Sequence, residues 1–368
     1  KEFKSGEYTI KEGEVITIDG GKGKVMLGKV PTVKPDISGD FSKVMSWADK
    51  FRKLKVRTNS ETPSDTKIAR DFGAEGIGLF RTEVPFLLSE RFPSELEQSE
   101  IYREQLEAFS PKLVTMRTLD IGGDKDLSYF PIDEENPFLG WRGIRVTLDH
   151  PEIFMAQVRA MLRASIGLEN LQIMLPMISN VNEVNSALKL IKRAFRELLQ
   201  EHLDIKFPAI GVMIELPAAV YQTRALAKMV DFISVGSNDL TQYLLAVDRN
   251  NPRVANLHSA FHPSVLRALH HVVTEARKEK KLVTICGEMA GDPGVAVLLV
   301  AMGFDILSMN AASLLKVKSV IRSVSLEVAE DLLEQVMRME DAQMIRAAVD
   351  LTLYNAGVDR LLRSSRTN

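Results

Sequence analysis

The chain has 368 residues, 45% hydrophobic and 26% charged, which is usual for a soluble globular enzyme. Its 47 Lys and Arg residues nearly balance 49 Asp and Glu residues, so the net charge of -2 argues against nucleic-acid binding. No apolar run is long enough to cross a bilayer. The single cysteine, Cys286, excludes an internal disulfide framework and favours a reducing, cytoplasmic setting.

The first 53 residues carry the pattern of a small sheet followed by a linker. Two apolar strand patterns flank a glycine-rich turn at 20–23, which predicts a hairpin. Because so small a sheet cannot bury a core, we expect residues 1–30 to be the trailing edge of a preceding domain. Residues 31–53 are predicted to be a linker with a helical pattern from Phe41 to Lys53.

From residue 54, short apolar runs alternate with longer amphipathic patterns. The predicted strands are residues 54–60, 76–81, 112–119, 172–177, 210–215, 232–237, 282–286 and 305–309. The predicted helices are residues 63–72, 94–110, 151–167, 180–202, 217–229, 263–280, 292–302 and 312–322. This alternation predicts a parallel sheet, and eight units over residues 54–323 fit an α/β fold of the (β/α)8 TIM-barrel type. A doubly wound open sheet is the alternative, and residues 324–368 are predicted to form a helical tail.

Polar and charged side chains cluster where the predicted strands end. In a β/α barrel these carboxyl ends converge on the face where active sites are built, so we expect one site there. The residues are Arg81, Arg117, Asp120, Glu215, Ser237, Asn238, Asp239, Cys286, Glu288 and Asn310.

Glu215 and Asp239 are the candidate metal ligands. Each follows an apolar strand, and the two strands are consecutive, so we expect their carboxylates to converge. Mg²⁺ prefers oxygen ligands and takes one or two carboxylates together with substrate phosphate and water. The alternative for either residue alone is a helix N-cap.

Arginines form a second group of candidates, since a guanidinium donates two parallel hydrogen bonds to a phosphate or carboxylate. They are Arg81, Arg117, Arg142, Arg145 and Arg249. Surface ion pairing is the alternative, and we favour it for Arg145. The turn from Gly122 to Lys125 offers main-chain N–H groups and the point charge of Lys125.

Cys286 ends a strand and precedes a glycine, so it can face a pocket and act as a general acid. The alternative is an inert core thiol. The six histidines lack the spacing of a zinc protease and are predicted to be structural or surface residues. Neither a Walker A loop nor a dinucleotide-binding glycine motif occurs, which disfavours nucleotide binding.

Seven motifs in this order resemble the phosphoenolpyruvate-utilising enzymes, most closely enzyme I of the bacterial phosphoenolpyruvate phosphotransferase system. They are Gly78-Leu-Phe-Arg-Thr-Glu83, Arg117-Thr-Leu-Asp-Ile-Gly-Gly-Asp-Lys125, Asn136-Pro-Phe-Leu-Gly-Trp-Arg142, Glu215-Leu-Pro217, Gly236-Ser-Asn-Asp-Leu-Thr-Gln-Tyr243, Val247-Asp-Arg249 and Cys286-Gly-Glu-Met-Ala-Gly291. The resemblance runs from about residue 30 to residue 322. Ser308-Met-Asn310 and the tail are more similar to the nitrogen-related paralogue than to the sugar enzyme.

The resemblance implies a role for each matching position. Phosphoenolpyruvate would be bound by Arg81, Arg117, Lys125, Arg142, Ser237, Asn238 and Arg249. Glu215 and Asp239 would hold Mg²⁺, and Cys286 would protonate the enolate carbon to give pyruvate. Ser237 stands where the sugar enzyme usually has threonine; because the hydroxyl is kept, we expect little change.

The family's phosphorylated histidine lies upstream of the barrel in a Thr-Ser-His-type motif, and no such motif occurs in this sequence. The resemblance implies that residues 1–30 are the trailing strands of the domain that carries this histidine, and that the intact protein passes the phosphoryl group to that histidine and then to an HPr-like carrier protein. It also implies a homodimer formed through the barrel. We therefore expect this chain alone to bind phosphoenolpyruvate and Mg²⁺ without turning over.

Three alternatives remain open on the sequence. Pyruvate phosphate dikinase and phosphoenolpyruvate synthase share these barrel motifs but need an ATP-grasp domain. A Mg²⁺-dependent barrel lyase acting on 2-oxo acids is a second alternative, against which the Gly122–Lys125 turn and Cys286 argue. The third is a dimerisation and ligand-sensing module without catalysis.

Overall fold

The structure, a computed structural model, describes residues 2–5, 8–19, 24–31 and 54–358. The predicted turn at 20–23, the helical pattern from Phe41 to Lys53 and the end of the tail from residue 359 lie outside these ranges.

Two short antiparallel strand pairs precede the barrel. β1 (Glu2–Ser5) pairs with β2 (Tyr8–Lys11), and β3 (Ile16–Asp19) pairs with β4 (Lys24–Leu27). The second pair contains the strands of the predicted hairpin. In β2 and β4 most side chains are exposed, so these strands bury little apolar surface.

Eight parallel strands form a closed barrel. They are β5 (Lys55–Ser60), β6 (Ile77–Phe80), β7 (Val114–Arg117), β8 (Leu171–Leu175), β9 (Ala209–Ile214), β10 (Phe232–Gly236), β11 (Leu282–Cys286) and β12 (Ile306–Met309). Each pairs in parallel with its neighbours in the chain, and β12 pairs with β5 to close the ring. The predicted (β/α)8 barrel is therefore confirmed, and the open sheet is excluded.

Helices connect the strands and follow the last one. They are α1 (Pro63–Asp71), α2 (Val84–Leu87), α3 (Glu95–Phe109), α4 (Ile144–Asp149), α5 (Pro151–Ala164), α6 (Val181–Gln200), α7 (Pro217–Tyr221), α8 (Thr223–Ala227), α9 (Ser237–Leu245), α10 (Pro263–Lys278), α11 (Pro293–Met302), α12 (Leu314–Ser323), α13 (Leu326–Met337) and α14 (Ala342–Asn355). The single helix predicted over 217–229 is wrong, because the segment breaks at Gln222 into α7 and α8. None of the helices in the described ranges is both long and apolar enough to span a membrane.

The core has two parts. Outward-facing strand residues and the inner faces of the helices form one continuous apolar cluster around the barrel. Inside the barrel, a smaller apolar layer consists of Leu79, Met174, Met213, Phe232 and Cys286. The barrel is therefore packed with side chains, as is usual for this fold, and its polar site lies at one end.

The tail packs on the barrel through α13 and α14, which both contact α11. Leu332 and Val336 of α13 and Val349 and Leu353 of α14 are buried in these contacts. One apolar face of each tail helix is thus buried within the chain, whereas Leu326, Met344 and Leu351 remain exposed.

Gly211 in β9 leaves room for the Phe232 ring, because a Cβ at this position would lie 2.3 Å from ring atom Cε2. We expect Gly211→Ala to lower the free energy of unfolding by about 1–3 kcal/mol, since overpacking a filled interior forces side chains off their rotamers. Urea unfolding measures the change. Adding Phe232→Leu should restore part of the loss, and an alanine variant as stable as the parent would contradict the packing.

Candidate active site at the mouth of the barrel

The polar residues that end the barrel strands lie at one mouth of the barrel, as the sequence predicts. Arg117 is the last residue of β7, Glu215 directly follows β9, and Cys286 is the last residue of β11. Asp239 lies in the first turn of α9, which begins directly after β10. Parallel strands end at the same edge of the sheet, so residues distant in the chain meet there.

Asp120 is the centre of the charge network. This fully buried carboxylate accepts hydrogen bonds from Arg142 Nε and Nη2, each at 3.1 Å, and from Lys125 Nζ at 2.8 Å. Arg117 Nη1 lies 3.2 Å from Asp120 Oδ2. Burial alone would raise the pKa of Asp120, but the charges of Lys125, Arg142 and Arg117 hold it well below its usual value. Asp120 is therefore ionised and fixes three cations in place.

Arg142 connects this network to the predicted metal ligands. Its side chain is buried, and its Nη1 donates to Asp239 Oδ1 at 2.9 Å and to the Tyr243 hydroxyl at 3.3 Å. The opposite edge of the guanidinium binds Asp120. Arg142 is thus a bridge between two carboxylates rather than a surface residue.

Glu215 is fully buried, and only one of its carboxylate oxygens is satisfied. Oε1 accepts a hydrogen bond from the main-chain N–H of Met177 at 2.5 Å, whereas Oε2 has no partner. Burial raises the pKa of Glu215 to about 8, with a further contribution from the Asp239 and Asp120 carboxylates. A buried acid in these surroundings needs either a proton or a cation.

Asp239 has the opposite electrostatics. Burial opposes ionisation, but Arg142 and then Arg249 lower its pKa below the usual value. Arg249 Nη1 lies 3.7 Å from Asp239 Oδ2, beyond hydrogen-bond distance, and this buried nitrogen has no hydrogen-bond partner. Arg249 therefore retains a free donor beside the carboxylate.

The helix-cap alternative does not account for the two acids. The residue that caps α7 is Leu216, which makes no side-chain cap, and Glu215 lies outside the helix. At α9 the cap position is Gly236, and Asp239 lies inside the first turn with its carboxylate on Arg142. Neither carboxylate is used to begin a helix.

Arg117 is held from its other side by Glu83, which the sequence placed in a motif without a role. Arg117 Nη2 donates to Glu83 Oε1 at 2.9 Å, and the same oxygen accepts the Asp120 N–H at 3.1 Å. Both side chains of the ion pair are at most 5% exposed. Arg117 Nε and Glu83 Oε2 are buried without partners. Part of the Arg117 guanidinium thus remains available to a ligand.

Cys286 lies under the site, buried, with its thiol 3.5 Å from the Ser234 hydroxyl and 3.5 Å from the Val235 carbonyl oxygen. Burial raises the pKa of Cys286 to about 11, so the thiol is protonated at neutral pH. The Ser237 hydroxyl donates to the Cys286 carbonyl oxygen at 3.3 Å. A protonated thiol is the form that a general acid requires.

The orientation of Asn238 is fixed by the segment after Cys286. Asn238 Oδ1 accepts the Glu288 N–H at 3.1 Å, and the Asn238 carbonyl oxygen lies 3.2 Å from His258 Nε2. A Cβ on Gly287 would lie 2.3 Å from Ser237 Oγ and 2.9 Å from Asn238 Oδ1, so only glycine fits between these groups. With Oδ1 occupied, the amide NH₂ of Asn238 is the group left to contact a ligand.

Arg81 stands apart from the Asp120 network. It forms an ion pair with Glu61, and both side chains are about one-third exposed, at 34% and 39%. A cavity of about 450 Å³ lies beside this pair and is also lined by Asn59, Asp65, Glu288 and Asn310. The structure therefore brings Arg117, Lys125 and Arg142 onto Asp120 and places Arg142 and Arg249 beside Asp239, whereas Arg81 lies apart in its pair with Glu61. Glu215 is linked to this group through the effect of the neighbouring charges on its pKa.

Glu61, Glu83 and Tyr243 are site residues for which sequence reasoning gave no role. Asp120 was recognised as a strand-ending residue but not as the centre of the network. Glu83 and Tyr243 lie inside quoted motifs, which was the available signal; nothing in the pattern around Glu61 distinguished it from other acids.

Within the described ranges, no group of three or more His, Cys, Asp or Glu side chains could hold a metal ion. Among the described residues, Glu215 and Asp239 are therefore two candidate ligands that belong to no larger cluster.

The fold and these contacts define a β/α barrel with a site of interlocked arginines and carboxylates at its mouth. The sequence model described as the PEP-binding domain of PEP-utilising enzymes matches residues 36–326. The chain therefore belongs to the phosphoenolpyruvate-utilising enzymes, as their phosphoenolpyruvate-binding domain.

Three curated relatives agree with this assignment. A Salmonella typhimurium protein named "Phosphoenolpyruvate-dependent phosphotransferase system" is 47% identical over 84% of this chain and 42% of its own length. Proteins named "Phosphoenolpyruvate-protein phosphotransferase" from Bacillus sp. (strain S) and Staphylococcus aureus are 37% and 40% identical. These matches cover 93% and 88% of this chain, and 62% and 59% of the relatives. The chain thus spans about half the length of the curated relatives it matches.

The buried Arg117–Glu83 pair predicts a stability defect on removal of the acid. We expect Glu83→Ala to lower the free energy of unfolding by about 3–5 kcal/mol, because Arg117 is left with one carboxylate in a buried site. Glu83→Gln, which keeps an acceptor for the Asp120 N–H, should lose less. Urea unfolding of both variants checks this; equal losses would contradict a contribution from the hydrogen bond to the Asp120 N–H, and no loss in either variant would contradict the ion pair.

The buried, protonated thiol of Cys286 predicts slow alkylation of the folded chain. Because the thiolate is the reacting form and the thiol is buried, iodoacetamide should modify the folded chain far more slowly at about pH 8.5 than the chain in urea. In urea the thiol should titrate at the ordinary value of about 8.5. The lone cysteine makes the rate a single-site readout, and equal rates in both states would contradict the burial of the thiol.

Proposed function

We propose that this chain is the phosphoenolpyruvate- and Mg²⁺-binding part of a phosphoenolpyruvate-protein phosphotransferase. The observation that carries the proposal is a set of unsatisfied buried atoms at the mouth of the barrel. Arg117 Nε and Arg249 Nη1 are donors without acceptors, and Glu215 Oε2 is an acceptor without a donor. Buried polar groups are rarely left unpaired, and these three suit an anion bound together with a cation.

Phosphoenolpyruvate carries a phosphate and a carboxylate, so it needs several cationic partners. Arg117 and Arg249 supply the free donors, with Lys125 and Arg142 adding charge from the Asp120 network. The Asn238 amide and the main chain around Ser237 would hydrogen-bond the phosphate. Arg81 closes the ligand from the edge of the site. Guanidinium groups suit both ends of this ligand because their donors match phosphate and carboxylate geometry.

Glu215 and Asp239 would hold the Mg²⁺. The fit of these residues to a metal ion rests on Glu215. One of its oxygens has no partner and its pKa is raised, so a neighbouring cation would stabilise its ionised form. Mg²⁺ bound there would supply electrostatic stabilisation of the charge that develops on phosphate and enolate oxygens. Asp239 stays ionised because Arg142 and Arg249 adjoin it.

The reaction separates the phosphoryl group from the enolate oxygen. The phosphorus–oxygen bond to the enol breaks as a bond forms to a histidine nitrogen, and the arginines stabilise the charge on the transferred group. The electron pair returned to the enolate then takes a proton at carbon. Cys286 is the donor in this proposal, since its thiol is protonated and lies beneath Ser237 at the floor of the site. Pyruvate is the product.

The accepting histidine lies in another part of the full protein, and an HPr-like carrier receives the phosphoryl group next. The names of the relatives favour a phosphoenolpyruvate-protein phosphotransferase over a pyruvate phosphate dikinase. We also propose a homodimer formed through the barrel and a cytoplasmic location.

Calorimetric titration with phosphoenolpyruvate tests the arginine assignment. Arg249→Ala should weaken binding by about 10- to 100-fold, because a charge-assisted contact is lost while little structure depends on this side chain. Arg253→Ala removes an exposed charge from the same loop and should change little. Equal affinities for both variants, or no binding by the parent chain in the presence of Mg²⁺, would refute the assignment.

A second titration tests the metal. Glu215→Gln keeps the shape of the side chain and the acceptor for Met177, so the fold should persist. It should abolish the increase in phosphoenolpyruvate affinity that Mg²⁺ produces in the parent chain, because Mg²⁺ loses a carboxylate ligand. If the variant kept the full Mg²⁺ effect, the metal would have to bind elsewhere.

A further inference from the structure

Two arginines of the site are paired with carboxylates in contrasting ways. Arg117 and Glu83 form a buried pair, at most 5% exposed, and Glu83 also holds the main chain at Asp120. Arg81 and Glu61 form a pair whose side chains are 34% and 39% exposed. The Glu61 carboxylate makes no other ion pair among the described residues. The first pair is built into the fold, and the second is partly exposed to solvent.

Exposure decides which pair can exchange partners. Separating the buried pair would leave a charge without solvent or partner, which is costly. An exposed ion pair is worth little, because water replaces each partner. Arg81 can therefore leave Glu61 for a more highly charged anion, whereas Arg117 cannot leave Glu83.

The surroundings of Glu61 provide space for the exchange. The pair borders the cavity of about 450 Å³, which carries the further carboxylates of Asp65 and Glu288. Glu288 lies next to Gly287, which packs against Ser237 and Asn238, the residues assigned to the phosphate. The cavity therefore lies beside the proposed phosphate contacts, and Arg81 is the arginine among its lining residues.

We infer that Glu61 is an internal competitor for Arg81, an exchangeable carboxylate that the phosphate of the incoming ligand displaces. Glu61 thereby lowers the affinity of the site for anions and makes release of the ligand easier. The inference rests on the proposed function, since it takes phosphoenolpyruvate as the ligand. It assigns to Glu61 a role opposite to that of Glu83, which positions its arginine permanently.

Calorimetric titration of the Mg²⁺-loaded chain with phosphoenolpyruvate tests the inference. Glu61→Gln should tighten binding by about two- to fivefold at low salt, the range set by the strength of an exposed ion pair. The gain should shrink at high salt, because exposed charges are screened. Glu288→Gln is the matched control, since it removes the same charge from the same cavity without touching the Arg81 pair and keeps the main-chain N–H that holds Asn238, so it should change the affinity less than Glu61→Gln does.

A double-mutant cycle separates competition from a general field effect. Arg81→Gln should weaken binding. Adding Glu61→Gln to that variant should then leave the affinity unchanged, because Glu61 no longer has an arginine for which it competes with the ligand. If Glu61→Gln still tightened binding in that background, if Glu288→Gln tightened it equally, or if Glu61→Gln weakened it, the inference would be overturned. A parent chain that bound no phosphoenolpyruvate would instead refute the proposed function.

Discussion

The site depends on the contact between Asp120 and the three cations around it. Arginines gathered to bind an anion repel one another, and a buried carboxylate between them offsets that repulsion before any ligand arrives. Asp120 binds Arg142 through both oxygens and also contacts Lys125 and Arg117. Since Arg142 continues to Asp239, the same carboxylate also fixes one of the proposed metal ligands.

Three ionisable groups of the site, Glu215, Arg117 and Arg249, each keep a buried polar atom without a hydrogen-bond partner. Asp120 and Asp239 have lowered pKa values because arginines adjoin them, whereas burial raises the pKa of Glu215. The unsatisfied oxygen of Glu215 and the unsatisfied nitrogens of Arg117 and Arg249 lie within one region of the barrel mouth. Under the proposed function, this arrangement would suit a metal ion bound beside a phosphate rather than either ion alone.

Much of the fold follows from local pattern, and the site follows from topology. Eight strand predictions succeed because buried parallel strands are short apolar runs between amphipathic helices. The polar residues at the strand ends lie at one mouth because a barrel gathers those ends on one face. α2 and α4 escape prediction since four and six residues are too few to show a helical period. The break at Gln222 has no signal in an apolar pattern that continues through it.

The residues that sequence reasoning missed are those whose role depends on a partner in space. Glu83 and Glu61 are both acids near the end of a strand, and their chemical type does not tell them apart. What separates them is burial: Glu83 packs beneath Arg117, and Glu61 faces solvent beside Arg81. Burial of a loop side chain is set by tertiary packing. Loops lack the hydrophobic periodicity that reveals buried positions in helices and strands, so the sequence alone does not show which of the two acids is buried.

The central claim is that a divalent cation and a phosphate are held side by side at the mouth of the barrel. The most direct measurement is the ³¹P relaxation of phosphoenolpyruvate in the presence of the chain loaded with Mn²⁺ as a paramagnetic substitute for Mg²⁺. The account predicts strong relaxation enhancement that requires the chain and is lost in Asp239→Asn. A phosphorus signal relaxed no more than by free Mn²⁺, or equally by the variant, would contradict it.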